Sequence, residues 1–151
     1  MAYVFDSSKP IAIGADHAGF ELKKELSEWL RSMNRTVEDK GLFENVSVDY
    51  PDYAHPVATM VEQGDAAFGI LICGSANGVC MTANKHQGIR AGLSWQNEVA
   101  KLIRQHNDAN VICIPARFVS SQEAKDMIST FMETPFEGGR HLNRINKISC
   151  S

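Results

Sequence analysis

The sequence has no apolar run near the roughly 18–20 residues that cross a bilayer. Its longest apolar stretches, residues 66–73 and 111–116, are only strand-length. It also lacks a basic excess: Lys and Arg number 15 against 18 Asp and Glu, a net charge of −3. A protein that coats nucleic acid needs fixed positive charge, so neither a nucleic-acid nor a membrane partner is expected. The cysteines, Cys73, Cys80, Cys113 and Cys150, include no CxxC pair, and the 5 histidines form no HExxH. No metal is expected on that spacing. The first residues, Met-Ala-Tyr-Val-Phe-Asp, carry neither the basic stretch nor the apolar core of a secretory leader. Reduced thiols and a cytoplasmic location are the corresponding expectations.

What is present suits one globular domain over residues 1–151: 44% of residues are hydrophobic and 22% charged. Short apolar runs alternate with amphipathic ones. Residues 9–14 read as a buried strand. Leu22, Leu26, Trp29, Leu30 and Met33 then form one apolar stripe of a helix. Residues 36–39 are a weaker strand, 41–53 a loop, and 56–63 a helix stopped by Gly64. The run AFGILIC at 67–73 is continuously apolar, as strands covered on both faces are. A tight loop at 74–78, a helix at 79–85 and a strand at 89–93 follow. A helix bearing Val99, Leu102, Ile103 and His106 precedes a fifth strand at 111–114. Ser120 with Glu123 predicts a capping box ahead of Ala124, Met127, Ile128 and Phe131. A last helix, about 139–150, carries Leu142, Ile145 and Ile148. Such alternation predicts an α/β fold: a five-stranded parallel sheet with helices on both faces.

In open parallel sheets a ligand lies beyond the carboxyl ends of the strands, where the strand order reverses. Two loops at strand ends carry chemistry, and they face each other if strands one and three are neighbours across that reversal. One holds Asp16 and His17. The other holds Cys73, Gly74, Ser75, Ala76, Asn77 and Gly78, and Arg117 joins them from the fifth strand. Asp16 either caps the next helix or reaches a ligand. Cys73 is either an inert core thiol or a thiolate stabilised by loop amides and a helix N-terminus. The 74–78 loop has too few glycines for a nucleotide fingerprint, but its backbone N–H groups suit an anion. Cys80 and Cys113 read as packing residues.

Arg140 and Arg144, four apart, share a helix face and with Arg117 could grip a phosphate; the alternative is a solvated face. His106 and Asn107 end a helix that returns to the amino edge of the sheet, about one strand length (17–20 Å) from Asp16 and Cys73. They cannot meet those residues within one subunit. His106 is therefore either a cation at a helix C-terminus or part of a neighbouring subunit's site.

The segments at 14–20, 49–54, 69–75, 83–85, 88–91, 104–111 and 136–141 occur in an order that resembles the ribose-5-phosphate isomerase B family. The resemblance runs from about Ile11 to Ile148. It implies a Rossmann-like three-layer α/β/α sandwich and a homodimer or dimer of dimers, with sites at the subunit interface and the last helix packed there. It implies interconversion of ribose 5-phosphate and ribulose 5-phosphate with neither metal nor cofactor. By the same resemblance Cys73 is the base of a cis-enediolate mechanism, Ser75 bonds the reacting oxygens and Asp16 serves the sugar hydroxyls. Gly74, Ala76, Asn77 and Gly78 form the anion-binding loop. His106 and Asn107 of the partner open the ring and hold the sugar. His17, Arg117, Arg140 and Arg144 clamp the phosphate, and Tyr50 lines the pocket.

Members of this family use either this cysteine or a glutamate after the loop; Val79 stands at the latter position, so the chain resembles the cysteine type. It departs from that type at Ala76-Asn77, where glycine and an aliphatic residue are common, and alanine disfavours positive φ. Two other readings stand beside this one. One is the same chemistry on an allose or galactose 6-phosphate. The other is a non-catalytic sugar-phosphate-binding module.

Overall fold

In the computed structural model, which describes residues 2–150, the chain runs β1 (Ile11–Ala15), a 3-10 turn (His17–Gly19), α1 (Phe20–Ser32), β2 (Val37–Asp39) and α2 (Pro51–Glu62). It continues through β3 (Gly69–Cys73), α3 (Asn77–Ala83), β4 (Ala91–Leu93) and α4 (Asn97–Gln105) to β5 (Val111–Pro115), α5 (Ser121–Glu133) and α6 (Arg140–Ile145). All five strands pair in parallel in the order β2-β1-β3-β5-β4. The order reverses between β1 and β3. Both strands are buried along their whole length, and so is β5, as their unbroken apolar sequences require.

The side chains alternate between two cores. Ile11, Ile13, Ile70, Ile72, Ile112 and Ile114 pack against Leu26 and Leu30 of α1, Ala100 of α4, and Met127, Ile128 and Phe131 of α5. Ala12, Leu71, Cys73, Val111 and Cys113 pack on the other face, against Val57, Ala58 and Val61 of α2 and Val79 and Ala83 of α3. Truncating one of these large buried side chains costs roughly 2–5 kcal/mol. Local polar contacts fix the ends of elements. Lys23, buried on α1, reaches Asp39 of β2 at 2.6 Å. Ser120 accepts from the Glu123 amide at 3.1 Å, and the Glu123 carboxylate accepts from the Ser120 amide at 2.9 Å. The predicted capping box is therefore present.

Several boundaries differ from the sequence expectation, most clearly in three helices. The helix expected from Pro56 begins at Pro51, the first helical position, where the missing proline N–H leaves no intrahelical bond unmade. Pro56 lies inside that helix. The helix expected from Val79 begins at Asn77. The last helix ends at Ile145, and Ile148 lies beyond it, 55% exposed. Without a buried apolar face past Ile145, nothing pays the ordering cost of another helical turn.

Candidate functional site

The strand reversal brings the β1 and β3 ends together: the Asp16 amide donates to Ile72 O at 3.3 Å. Around this edge lies an open cavity of about 420 Å³. Asp16, His17, Tyr50, Cys73, Ser75 and Arg117 line it, with Gly74, Asn77 and Gly78. Ala18 and Met81 line it as well. The sequence reading missed these two, because an alanine in a turn and an exposed methionine on a helix carry no chemical signal.

Each polar group is held by its own segment. Asp16 does cap the turn: its Oδ1 accepts from the Ala18 and Gly19 amides at 3.0 and 3.2 Å. The residue is only 8% exposed yet lies on the cavity. Capping and ligand contact are thus compatible, because each oxygen has two lone-pair directions. His17 turns a buried Nδ1 that has no hydrogen-bond partner. Arg117 is seated by its amide on Gly74 O at 3.1 Å, and its guanidinium lies 3.3 Å from where a Gly74 Cβ would stand.

The 74–78 loop leads straight into α3. Ala76 is the N-cap, at φ 62° and ψ 1°, and its side chain is fully buried. The alanine therefore adopts the left-handed backbone that the loop needs, at a cost of roughly 1–2 kcal/mol. Asn77 donates from Nδ2 to Ser75 Oγ at 3.2 Å. That bond occupies a lone pair of the hydroxyl and leaves its O–H free to donate into the cavity.

The Cys73 thiol is pulled in two directions. Burial pushes its pKa above the ordinary thiol value, and the negative charge of Asp16 adds to the rise. The amides of Val79, Ala76 and Ser75 pull it down, but not enough to reverse the burial effect. In the single chain the loop moderates a buried thiol rather than making it acidic. Cys80 and Cys113 pack in the core, as expected, and Cys113 is pushed up strongly by burial and by Cys80.

His106, Asn107, Arg140 and Arg144 do not join this cavity. His106 is the C-cap of α4 and its amide donates to Leu102 O at 2.9 Å. The next loop returns to the start of β5, where the Asn110 amide bonds Arg90 O. Cys73 pairs with Pro115 at the other end of β5, four residues or about 13 Å along the strand. Asn107 is exposed, and its carbonyl accepts from Arg90 Nε at 2.9 Å. Arg140 and Arg144 are both exposed on α6.

His106 nevertheless belongs to a second cluster, with Glu137 and His141 of the segment that carries Arg140 and Arg144. The His106 and His141 rings stack at 4.3 Å between centroids and 15° between planes. The Glu137 amide donates to Gln105 O at 3.1 Å, so the segment before α6 is tied to the end of α4. Glu137 Oε2 lies 3.6 Å from His141 Nε2. Burial holds the His141 pKa down, helped by the charges of His106 and Arg140 against the pull of Glu137. Sequence reasoning left His141 without a role. The only available signal was the Glu137–His141 spacing of four residues. His55 and His86, also unassigned, bond each other at 2.8 Å away from the cavity.

The family model described as Ribose/Galactose Isomerase matches residues 11–148. The chain is 42% identical over 142 residues to the ribose-5-phosphate isomerase B of Escherichia coli, covering 94% of this chain and 95% of that one. It is 44% identical over 140 residues to a probable ribose-5-phosphate isomerase B of Mycoplasma pneumoniae, covering 92% of each. Among solved structures, the ribose 5-phosphate isomerase of Thermotoga maritima superposes with a TM-score of 0.92 at 44% identity, over 93% of this chain and 97% of that one. The enzyme of Mycoplasma genitalium with bound ribulose-5-phosphate gives 0.90 at 44% identity, over 95% of each chain. Matched across nearly its whole length in both sequence and fold, the chain belongs to the ribose/galactose isomerase family.

Proposed function

We propose that the chain is an aldose–ketose isomerase that interconverts ribose 5-phosphate and ribulose 5-phosphate. The observation that carries this reading is the Cys73 thiol. It lies at the end of β3 on the wall of an open cavity, under the amides of Ser75, Ala76 and Val79. The bound ribulose-5-phosphate of the Mycoplasma genitalium relative supports the choice of sugar.

In this reading Cys73, as its thiolate, takes the proton from C2 of the open-chain aldose. Electrons move into the C1–C2 bond and the carbonyl oxygen gains charge, giving a cis-enediolate. The thiol returns the proton to C1, while a proton passes between the C1 and C2 oxygens with Ser75 and Asp16 as its carriers. The 74–78 amides stabilise the enediolate as an oxyanion hole does. No redox partner is needed, because one carbon is oxidised as its neighbour is reduced.

The ring must open first, and His106 is the acid–base group for that step. It reaches the thiol only from a second copy of the chain, so the active unit is a homodimer or a dimer of dimers. The exposed Met81, 66% accessible, lines the cavity, and Phe118, 73% accessible, follows the cavity residue Arg117 in the chain; together they offer such a partner an apolar surface. His106 and α6 are held together by the stacked imidazoles. Arg140 and Arg144 therefore travel with His106, and they join His17 and Arg117 on the phosphate only from the partner. Asn107 enters with them and holds the sugar; Tyr50 closes the pocket. The chain is read as one cytoplasmic domain over residues 1–151, with α6 at the dimer interface. No described helix is long and apolar enough to cross a membrane.

The test is turnover of ribose 5-phosphate beside six-carbon aldose 6-phosphates, in the parent chain and in Cys73→Ala. Isomerisation of the pentose, lost in the variant while sugar-phosphate binding persists, supports the reading. Full activity of the variant, or a higher kcat/KM on a hexose phosphate, overturns it.

A further inference from the structure

We propose that His106, Glu137 and His141 form a binding site for a borderline divalent cation such as Zn²⁺, and that filling it shuts the isomerase off. One ligand atom from each residue lies within 4.8 Å of the others. Two imidazoles and one carboxylate, with a fourth position left to water, are a donor set that Zn²⁺ accepts in tetrahedral geometry. Bonds of about 2.0–2.1 Å put tetrahedral donors roughly 3.3 Å apart. His141 Nε2 and Glu137 Oε2 already stand at 3.6 Å.

The site has a fixed part and a movable part. His141 is 6% exposed, and its amide is bonded to Gly138 O at 3.1 Å. Glu137 is exposed and His106 partly exposed, so these two supply the movement. The rings are stacked, and their in-plane lone pairs do not converge until His106 rotates. That rotation links metal to activity. An imidazole turned onto a cation has given up the nitrogen that the ring-opening step uses. Mg²⁺ and Ca²⁺ prefer oxygen ligands and should not compete. Arg140 and Arg144 on the same helix oppose any cation, which makes the site a reversible one.

Binding stands apart from the isomerase reading; only the inhibition rests on it. The test uses Co²⁺ as a coloured stand-in and Zn²⁺ as inhibitor. The parent chain and Cys73→Ala should both show the visible bands of four-coordinate Co²⁺, without a near-ultraviolet sulfur-to-cobalt band. Glu137→Gln and His141→Asn should lose those bands. Zn²⁺ should inhibit the parent chain, with activity restored by a chelator and Mg²⁺ without effect. Glu137→Gln lies on an exposed side chain, so it should fold, keep its metal-free rate and become at least tenfold less sensitive to Zn²⁺. Bands that persist in both variants overturn the site. Bands that vanish in Cys73→Ala also overturn it, because the metal then sits on the thiol. A parent chain that binds Co²⁺ but isomerises nothing would overturn the isomerase reading and leave the site standing.

Discussion

The Tyr50 ring lies so close over Gly78 that a Cβ on the glycine would stand 2.4 Å from Tyr50 Cζ. Real side-chain carbons do not come that near, so the ring and the first turn of α3 are fitted to one another. Gly78→Ala should push the ring off the loop, with strain of about 1–3 kcal/mol. Displacement of a pocket wall should lower kcat/KM on ribose 5-phosphate by about tenfold or more. The double variant Gly78→Ala, Tyr50→Ala should then be no slower than Tyr50→Ala alone, because the clash has lost its partner. Additive losses in steady-state kinetics would show that the glycine matters for another reason.

Asp16 and Cys73 are coupled by charge. Burial first, then the Asp16 carboxylate, holds the thiol pKa up. If the thiolate is the base, kcat/KM should rise with pH along a limb above the ordinary thiol range, about 8.5. Asp16→Asn keeps an oxygen to cap the Ala18 and Gly19 amides but removes the charge. Its limb should move to lower pH, even if its maximum rate falls. The linkage has the same sign in stability. A thiol whose folded pKa is raised favours the folded state below the unfolded pKa, and that contribution is lost as pH rises through the folded value. The urea midpoint should thus fall above about pH 8.5. It should fall less in Cys73→Ala, where Cys113, also pushed up by burial, keeps its share.

The sheet was legible because unbroken apolar runs such as GILIC and VICIP have few other places to go than strands covered on both faces. The meeting of Asp16, His17 and Cys73 was legible only on the condition that β1 and β3 are neighbours across the reversal, which the strand order fulfils. The distance of His106 from that edge was legible too, from the direction of a crossover helix. The stacking of His106 on His141 was not. It depends on where the turn after α5 lands, and two residues 35 positions apart carry no shared pattern. The raised thiol pKa was hidden for a similar reason. A helix N-terminus is visible in sequence, but the depth of the sulfur and the facing carboxylate are not.

Arg104 holds the His106 loop from beneath. It is 5% exposed, donates from Nε to Thr134 O at 3.1 Å, and from Nη1 to Ala109 O at 2.6 Å and Asp108 Oδ1 at 2.9 Å. Its guanidinium also lies 4.7 Å from the Phe5 ring centroid. Arg104→Met preserves most of the apolar stem but leaves two carbonyls and a carboxylate short of a donor. A buried carbonyl left without its donor costs about 1–3 kcal/mol, while Asp108, 35% exposed, can turn to water. Urea unfolding should register that loss. At temperatures where the variant is folded, turnover of the cyclic aldose should fall more than turnover of the ketose, because the loop it supports carries His106. A stability change under 1 kcal/mol would mean the network is replaced by water.

The separation of Cys73 from His106 gives the dimer proposal its sharpest consequence. Each site takes its thiol from one chain and its imidazole from the other. Cys73→Ala and His106→Asn homodimers should each be inactive on ribose 5-phosphate. Mixed, dissociated and reassembled in equal amounts, about half of the dimers are hybrids by random pairing in a two-fold assembly. In a hybrid, one site combines the intact thiol with the intact imidazole, and the other site has neither. Activity should therefore return to about a quarter of the parent value, since one site in two is whole in half of the dimers. If both groups served a site within one chain, every chain in the mixture would still lack one of them, and no activity would return. The recovery is read in a coupled isomerase assay after reassembly, with unmixed samples carried through the same steps.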